Sequence, residues 1–114
     1  MVPAGVDAVF AALADPTRRS LLERLSARPS TTATALAAEL PITRQAVAKH
    51  LALLRGARLV NAERVGRETR YRLDARPLDD AARWIAQVGA EWDGRLAELN
   101  RLLSARARGR TSGR

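Results

Sequence analysis

Cysteine is absent from this chain of 114 residues, aromatic side chains make up only 4% of it, and a single histidine is present. The lack of cysteine excludes disulfides and thiolate metal sites. His50 has no partner at the spacing that a catalytic or metal site requires, which favours a packed structural histidine, with a phosphate contact as the alternative. A nucleophile–base arrangement, a glycine-rich phosphate loop and a carboxylate pair with a pocket are also missing, so we expect no enzymatic activity.

Long hydrophobic runs are missing as well. No window approaches 18 consecutive apolar residues, so we expect no membrane-spanning segment. Residues 1–16 contain neither a basic leader nor an apolar run of signal-peptide length, which predicts a cytoplasmic protein. The length of the chain predicts one domain. Its core is expected to be modest, and many chains of this size complete their core by dimerising.

Positive charge is concentrated in two parts of the chain, whose formal net charge is +8. Residues 40–73 contain eight basic and two acidic side chains, and residues 104–114 contain four arginines and no acid. The remaining segments therefore carry a net charge of −2. A composition typical of GC-rich genomes explains why arginine replaces lysine, but it does not explain the clustering. The pattern therefore points to a polyanion as the partner.

Helical periodicity predicts three helices in the first part of the chain. Apolar side chains recur at three- and four-residue intervals in residues 6–14, as on one face of an amphipathic helix. Asp15 and Pro16 have the residue types of a helix cap and of a first helical residue, and they predict that a second helix begins there. Residues 32–40 predict a short third helix, which Pro41 cannot continue.

One more helix, a hairpin and a long final helix are predicted for the rest of the chain. Thr43 has the residue type of an N-cap for a fourth helix, which we expect to run to about Gly56 because glycine is a common terminator. Residues 60–65 and 69–73 predict a half-buried β-hairpin with an exposed basic tip. Periodic apolar residues predict a last helix over 77–105.

The last helix has an apolar residue at every third or fourth position from Ile85 to Leu103. Such a stripe covers an internal core or forms a seam between two copies, and we expect the seam because the helix is long for so small a body. Trp84 and Trp92 are expected in core or dimer contacts, with a ligand pocket as the alternative. Residues 104–114 are expected to be a disordered tail that adds unspecific DNA affinity or is inert.

The fourth helix has two faces of opposite character and no acidic side chain. At about 100° per residue, Val47, Leu51 and Leu54 share one side, with His50 at its edge. The opposite side is basic, carries one amide and has small residues at its centre: Arg44, Gln45, Ala48, Lys49, Ala52 and Arg55. An α-helix fits the major groove of DNA, where arginine and lysine bind guanine and glutamine pairs with adenine.

Residues 40–42 form a short turn between the third and fourth helices, which is the arrangement of a helix-turn-helix. The basic hairpin that follows is a candidate wing for the DNA backbone or the minor groove. A merely solvated basic face is the alternative for the helix alone, but the turn and the hairpin together favour DNA binding. The expected DNA-binding residues are Thr43, Arg44, Gln45, Ala48, Lys49, Arg55, Arg64, Arg67, Arg70 and Arg72.

Three separated segments resemble the ArsR-type winged helix-turn-helix repressors: LADPTRRSLLERL, LAAELPITRQAVAKHLALLRGARLV and VGRETRYRL. They occur in the order and spacing of that family, and the resemblance covers roughly residues 8–103. It implies a mainly α fold with a small β-hairpin, in the order α-α-α-α-β-β-α, within a domain over residues 1–103. It further implies repression of the protein's own or a neighbouring operon.

The same resemblance implies a homodimer built from the first and last helices, with recognition helices in successive major grooves of an inverted-repeat operator. The residues expected at the dimer interface are Val6, Val9, Phe10, Leu13, Ile85, Val88, Trp92, Leu96, Leu99 and Leu103.

The end of the chain resembles a branch of the family without metal sites. Metal-sensing members carry cysteines near the third helix, where residues 34–38 here are Thr-Ala-Leu-Ala-Ala. Other members use aspartate and histidine on the last helix, but no histidine follows Asp79 and Asp80, and carboxylates alone bind zinc-like ions weakly. We therefore expect no metal and no cofactor, and we expect these aspartates to stabilise the helix N-terminus.

A winged helix that binds protein or RNA is the alternative function. RNA-binding modules present aromatic side chains on which bases stack. Phe10 and Tyr71 are the sole phenylalanine and tyrosine of the chain, and both are expected to be buried. This favours double-stranded DNA over RNA.

Overall fold

The computed structural model describes residues 2–112, and it describes the side chains of residues 2–105. The elements follow one another as α1 (Ala4–Leu13), α2 (Pro16–Ser26), α3 (Ala33–Glu39), α4 (Arg44–Gly56), β1 (Val60–Val65), β2 (Glu68–Leu73) and α5 (Arg76–Ser112). This order confirms the predicted mainly α architecture with one β-hairpin. The chain divides into two compact units, Met1–Ala81 and Ala82–Arg114, with the boundary inside α5.

Side-chain caps fix where three of the helices begin. The carboxylate of Asp15 accepts a hydrogen bond from the backbone N–H of Arg18, and Pro16 follows as the first residue of α2. The hydroxyls of Thr32 and Thr43 accept backbone N–H bonds at the starts of α3 and α4, both at 3.1 Å. These bonds satisfy amides that have no partner within the helix. The caps predicted at Asp15 and Thr43 are confirmed.

The core of the first unit lies between α1–α4 and the start of β1. Its largest side chains are completely buried: Val9, Leu21, Leu25, Leu36, Val47, Leu51, Leu54 and Leu59. Those of the helices come from one face of each helix, as the periodicity of the sequence predicts, and Leu59 follows α4. Each such side chain stabilises the fold by about 1.5–3 kcal/mol relative to an exposed position.

The hairpin closes through a two-residue turn. β1 and β2 pair in antiparallel fashion from Val60 opposite Leu73 to Val65 opposite Glu68, which leaves Gly66 and Arg67 as the turn. Gly66 has a φ of 62°, a conformation that glycine adopts without strain and that two-residue hairpin turns require. Arg67 therefore lies at the tip of the wing.

A third backbone segment joins the hairpin, which the sequence did not predict. Thr31 forms an antiparallel bridge with Tyr71, with N–H···O distances of 2.7 and 3.0 Å in the two directions. Thr31 is buried, although its side chain is polar. The bridge attaches the hairpin to the loop between α2 and α3.

Helix α4 ends at the predicted residue, but a different residue terminates it. Gly56 is the last helical residue, but Arg58 is the residue in the left-handed conformation, with a φ of 61°. The N–H of Arg58 donates to the carbonyl of Arg55, and the N–H of Leu59 donates to the carbonyl of Leu54. These two bonds form a Schellman motif, which places Leu59 against the helix it closes.

Helix α5 continues to Ser112 instead of ending at about Ala105. Residues 104–112, which were expected to be disordered, are therefore helical, and alanine and arginine in this segment are among the strongest helix formers. The side chains of residues 106–112 and the last two residues lie outside the described part.

No helix in residues 2–112 combines the length and apolar character needed to cross a membrane.

Candidate nucleic-acid interface

Helix α4 presents an accessible polar face opposite an anchored apolar one. Val47, Leu51 and Leu54 are completely buried. The residues expected to face DNA on this helix are all exposed: Arg44, Gln45, Ala48, Lys49 and Arg55. Because three buried aliphatic residues fix the rotation of the helix, its cationic face points away from the first unit.

One arginine of α2 and one arginine of the loop that follows it hold α3 in place in front of α4. Arg24 and Arg28 both donate hydrogen bonds to the carboxylate of Glu39, with N···O distances of 3.1 and 2.5 Å. The hydrogen bond from Arg28, and then that from Arg24, holds the pKa of Glu39 below its usual value. The first helix of the helix-turn-helix is therefore braced against α2 by charge-assisted bonds.

Arg44, the first residue of α4, is held by a residue of the preceding helix. Its Nε donates to the hydroxyl of Thr34 at 3.0 Å, and both side chains are exposed. Gln45 and Lys49 make no hydrogen bond or ion pair within the described residues. Arg44 is therefore oriented by the protein, whereas Gln45 and Lys49 have their polar atoms available to a ligand.

Arg70 differs from the other arginines of the wing. Its Nε donates to the hydroxyl of Ser30 at 2.8 Å, and its Nη2 donates to the carbonyl of the same residue at 3.2 Å. Its Nη1 donates to Glu68 at 3.2 Å. All three nitrogens of this half-buried side chain are engaged, which favours a role in positioning the wing over the expected contact with DNA.

The remaining wing arginines are exposed. Arg72 pairs with Glu63 across the hairpin at 2.9 Å, so part of its charge is compensated. Arg64 donates to the carbonyl of Gly66 at 3.1 Å and has no carboxylate partner among the described side chains. Arg67, at the tip, makes no hydrogen bond or ion pair within the same set. The positive charge of the wing is therefore carried outward by Arg64 and Arg67.

A groove with a volume of about 360 Å³ separates α4 from the wing. Its walls come from the start of α3, the exposed face of α4 and the hairpin: Thr32, Ala33, Thr34, Arg44, Ala48, Arg64, Arg67, Glu68, Thr69 and Tyr71. Tyr71 is half-buried in this wall, whereas the sequence predicted a buried ring.

His50 lies on the edge of α4 beside the cap of α2. Its side chain is about one-quarter exposed, and its Nδ1 lies 3.9 Å from a carboxylate oxygen of Asp15. The same Nδ1 is buried and has no hydrogen-bond partner in the described part of the chain. The N–H of Arg18 holds the pKa of Asp15 below its usual value, and the charges of Arg18 and of protonated His50 act in the same direction. The geometry supports a structural role for this histidine.

The residues expected at a dimer interface differ in their accessibility. Val6 and Val9 are buried within the first unit, so they have almost no surface to offer a second copy, and Phe10 and Leu13 are half-buried. In the second unit Val88 is half-buried. The other expected side chains of α5, together with Leu102, are 50–56% exposed: Ile85, Trp92, Leu96, Leu99, Leu102 and Leu103.

Thr34 and Ser30 position arginines of the interface, yet sequence reasoning did not select them. Thr34 lies ten residues from Arg44, and Ser30 lies forty residues from Arg70. Serine and threonine near a helix start are ordinarily interpreted as caps or loop residues.

No group of three metal-ligating side chains occurs in the part of the chain whose side chains are described.

Comparisons with known proteins agree with this geometry. A family model described as a helix-turn-helix domain matches residues 13–63, which contain α2, α3, α4 and the start of β1. The HTH-type transcriptional regulator YuzN of Bacillus subtilis is 41% identical over 86 residues, which are 69% of this chain and 94% of that protein.

Two solved structures extend the match to the whole fold. An ArsR-like transcriptional regulator from Rhodococcus has a TM-score of 0.83 and 43% identity over 90% of this chain and 93% of its own. The homodimeric winged helix-turn-helix DNA-binding domain of Mb0332 from Mycobacterium bovis has a TM-score of 0.59 and 28% identity, with 81% and 82% of the chains covered. The chain belongs to the ArsR-like family of winged helix-turn-helix transcriptional regulators.

Proposed function

We propose that this regulator is a sequence-specific repressor that binds double-stranded DNA as a homodimer, with α4 in the major groove. The observation that carries the proposal is the pair of faces on α4, where three completely buried aliphatic residues anchor a fully accessible cationic face. Two alanines on that face, Ala48 and Ala52, allow the helix backbone to approach base edges closely. Gln45 and Lys49 flank them with groups that suit adenine and guanine.

The wing supplies contacts that do not depend on sequence. Arg64 and Arg67 project positive charge from the hairpin and lack carboxylate partners among the described side chains. Phosphate contacts fix the register of a protein on the duplex and make its affinity depend on salt. We therefore assign the wing to the DNA backbone or the minor groove, while α4 carries the base preference.

A second copy of the chain supports binding to two half-sites. The exposed apolar stripe of α5 recurs at helical spacing over residues 85–103 and suits a seam between two such helices. The related Mb0332 domain is homodimeric. In the dimer proposed for this chain, α5 is the principal interface, with Phe10 and Leu13 of α1 as minor contributors.

The family resemblance supports repression of the protein's own or a neighbouring operon. A dimer on an operator that overlaps a promoter excludes RNA polymerase, and this action takes place in the cytoplasm, where the chromosome lies. Transcription in vitro from a template with the selected site should fall as the protein is added. A rise in transcription would contradict repression but not DNA binding.

The decisive experiment selects bound sequences from a random duplex library. We expect an inverted repeat whose half-sites are about one helical turn apart. Gln45→Ala should relax the preference at one position of each half-site, and Gln87→Ala, which removes an exposed glutamine from α5, serves as the matched control. The proposal would be overturned if the library yielded no preferred sequence, or if the protein bound duplex RNA more tightly than duplex DNA in a direct competition.

A further inference from the structure

We infer that the groove between α4 and the wing is a phosphodiester-binding subsite, in which Arg44 anchors the DNA backbone instead of reading a base and Thr34 is its positioning residue. The inference rests on the proposed binding of duplex DNA. It differs from the expectation from sequence, in which Arg44 reads bases together with Gln45.

The first argument is the orientation of Arg44. Its Nε donates to the hydroxyl of Thr34 at 3.0 Å, and the side chain forms part of the groove wall. With Nε engaged, the guanidinium keeps its two Nη groups free, and their N–H groups can donate to phosphate oxygens. Gln45 is the next residue along α4, about 100° further round the helix, and does not line the groove.

The second argument is the charge of the groove. Arg44, Arg64 and Arg67 all line it, and none of the three has a carboxylate partner among the described side chains. Glu68 is the sole carboxylate of the wall, and it is paired with Arg70 at 3.2 Å. Three uncompensated guanidinium groups in one concave site repel each other, so the site favours an anion.

The third argument is the shape of the groove and the hydroxyl groups in it. A volume of about 360 Å³ is within the range of sites that hold small ligands, so the groove has room for a phosphate and its sugar. Thr69 and Tyr71, whose side chains carry hydroxyl groups, also line the groove, and such groups commonly bind phosphate oxygens. The backbone bridge between Tyr71 and Thr31 fixes this wall before DNA binds.

The test compares three variants with the wild type on the selected operator and on a scrambled duplex, each across a series of salt concentrations. Arg44→Ala should weaken binding to both duplexes by the same factor, about tenfold for each protomer of the dimer, because a charge-assisted contact to phosphate is lost at each half-site. Since two contacts are lost per dimer, the slope of log K against log salt should become shallower by about 2. Thr34→Val should produce the same pattern at about threefold, and Thr34→Ser should restore binding.

Selection from the random library supplies the readout that a merely structural role would not change. The base preferences of Arg44→Ala and Thr34→Val should equal those of the wild type, whereas those of Gln45→Ala should change. A changed preference at one position in Arg44→Ala, with unchanged binding to the scrambled duplex, would overturn the inference. Unchanged binding by Thr34→Val would overturn the positioning role.

Two controls distinguish failure of the inference from misfolding of a variant and from failure of the proposed function. Thr34 is exposed, and the circular dichroism spectrum of each variant shows that it is folded. Failure of the proposed function would appear in the wild type, as binding without any preferred sequence. Failure of the inference appears in the variants alone, while the wild type still selects an operator.

Discussion

Replacing Arg58 by glycine and Gly56 by alanine should make the protein more stable, although Gly56 is the last residue of α4 and glycine commonly terminates helices. Arg58 has a φ of 61°, a conformation that costs an L-residue about 1–2 kcal/mol. Glycine avoids this cost but loses about 0.5–1 kcal/mol through its greater freedom in the unfolded chain. Arg58→Gly should therefore raise the free energy of unfolding by about 0.5–1 kcal/mol.

Gly56 offers the complementary change. It does not have a positive φ, and a Cβ atom added to it would meet no atom within 4 Å apart from its chain neighbours and the backbone of its own helix. Alanine is favoured over glycine inside a helix by about 0.5–1 kcal/mol, so Gly56→Ala should also stabilise. The double variant should gain roughly 1–2 kcal/mol, which corresponds to a rise in the melting midpoint of roughly 5–10 °C in a domain of this size.

Urea denaturation followed by circular dichroism measures these changes, at one protomer concentration because the stability of a dimer depends on concentration. Arg58→Ala is the matched control, since it removes the charged side chain but keeps a β-carbon at the left-handed position; it should lie within about 0.5 kcal/mol of the wild type. Loss of stability in Gly56→Ala would mean that the glycine itself terminates the helix. An Arg58→Gly variant no more stable than Arg58→Ala would refute the strain argument.

Three further predictions concern the caps, the response to acid and the dimer. Thr43→Ala should lower the free energy of unfolding by about 1 kcal/mol, measured by urea denaturation, because the first turn of α4 loses its cap; Thr43→Ser should keep it. Hydrogen bonds from Arg76 lower the pKa of Asp74 to about 2, so this carboxylate stabilises the fold above pH 4 and ceases to do so as the pH falls towards 2. Asp74→Asn should remove that part of the pH dependence, and urea midpoints measured from pH 5 to pH 2 should show a shallower decline; an unchanged decline would contradict the assignment. Leu99→Glu, which places a charge in the exposed stripe of α5, should yield monomers in sedimentation experiments, and an intact dimer would remove α5 from the interface.

Local signals explain why so much of the fold could be predicted. The caps at Asp15 and Thr43 and the glycine of the hairpin turn at Gly66 each act within a few residues of their position. The apolar periodicity of α4 then determines which of its faces is buried. The exposure of the candidate reading face follows from the same pattern, since a helix anchored on one side exposes the other.

Contacts between distant segments explain what could not be predicted. The bonds between Arg70 and Ser30, and the bridge between Thr31 and Tyr71, join residues forty positions apart and have no signature in either segment alone. Periodicity also identifies an apolar face without revealing what covers it. The family resemblance implied that the first helix lies in the dimer interface, but Val9 of that helix packs inside the first unit.

The attachment of the hairpin to the loop before α3 has a consequence for exchanging parts between related regulators. Two backbone bonds at Thr31 and two hydrogen bonds from Arg70 to Ser30 fix the wing to the helical body. If residues 60–73 were replaced by the hairpin of another regulator, the new hairpin would lack the loop contacts that it has in its own protein. Its angle to the helical body would therefore change. If the residues that correspond to Ser30 and Thr31 were exchanged together with the strands, the angle between the tip of the wing and the DNA duplex would be preserved.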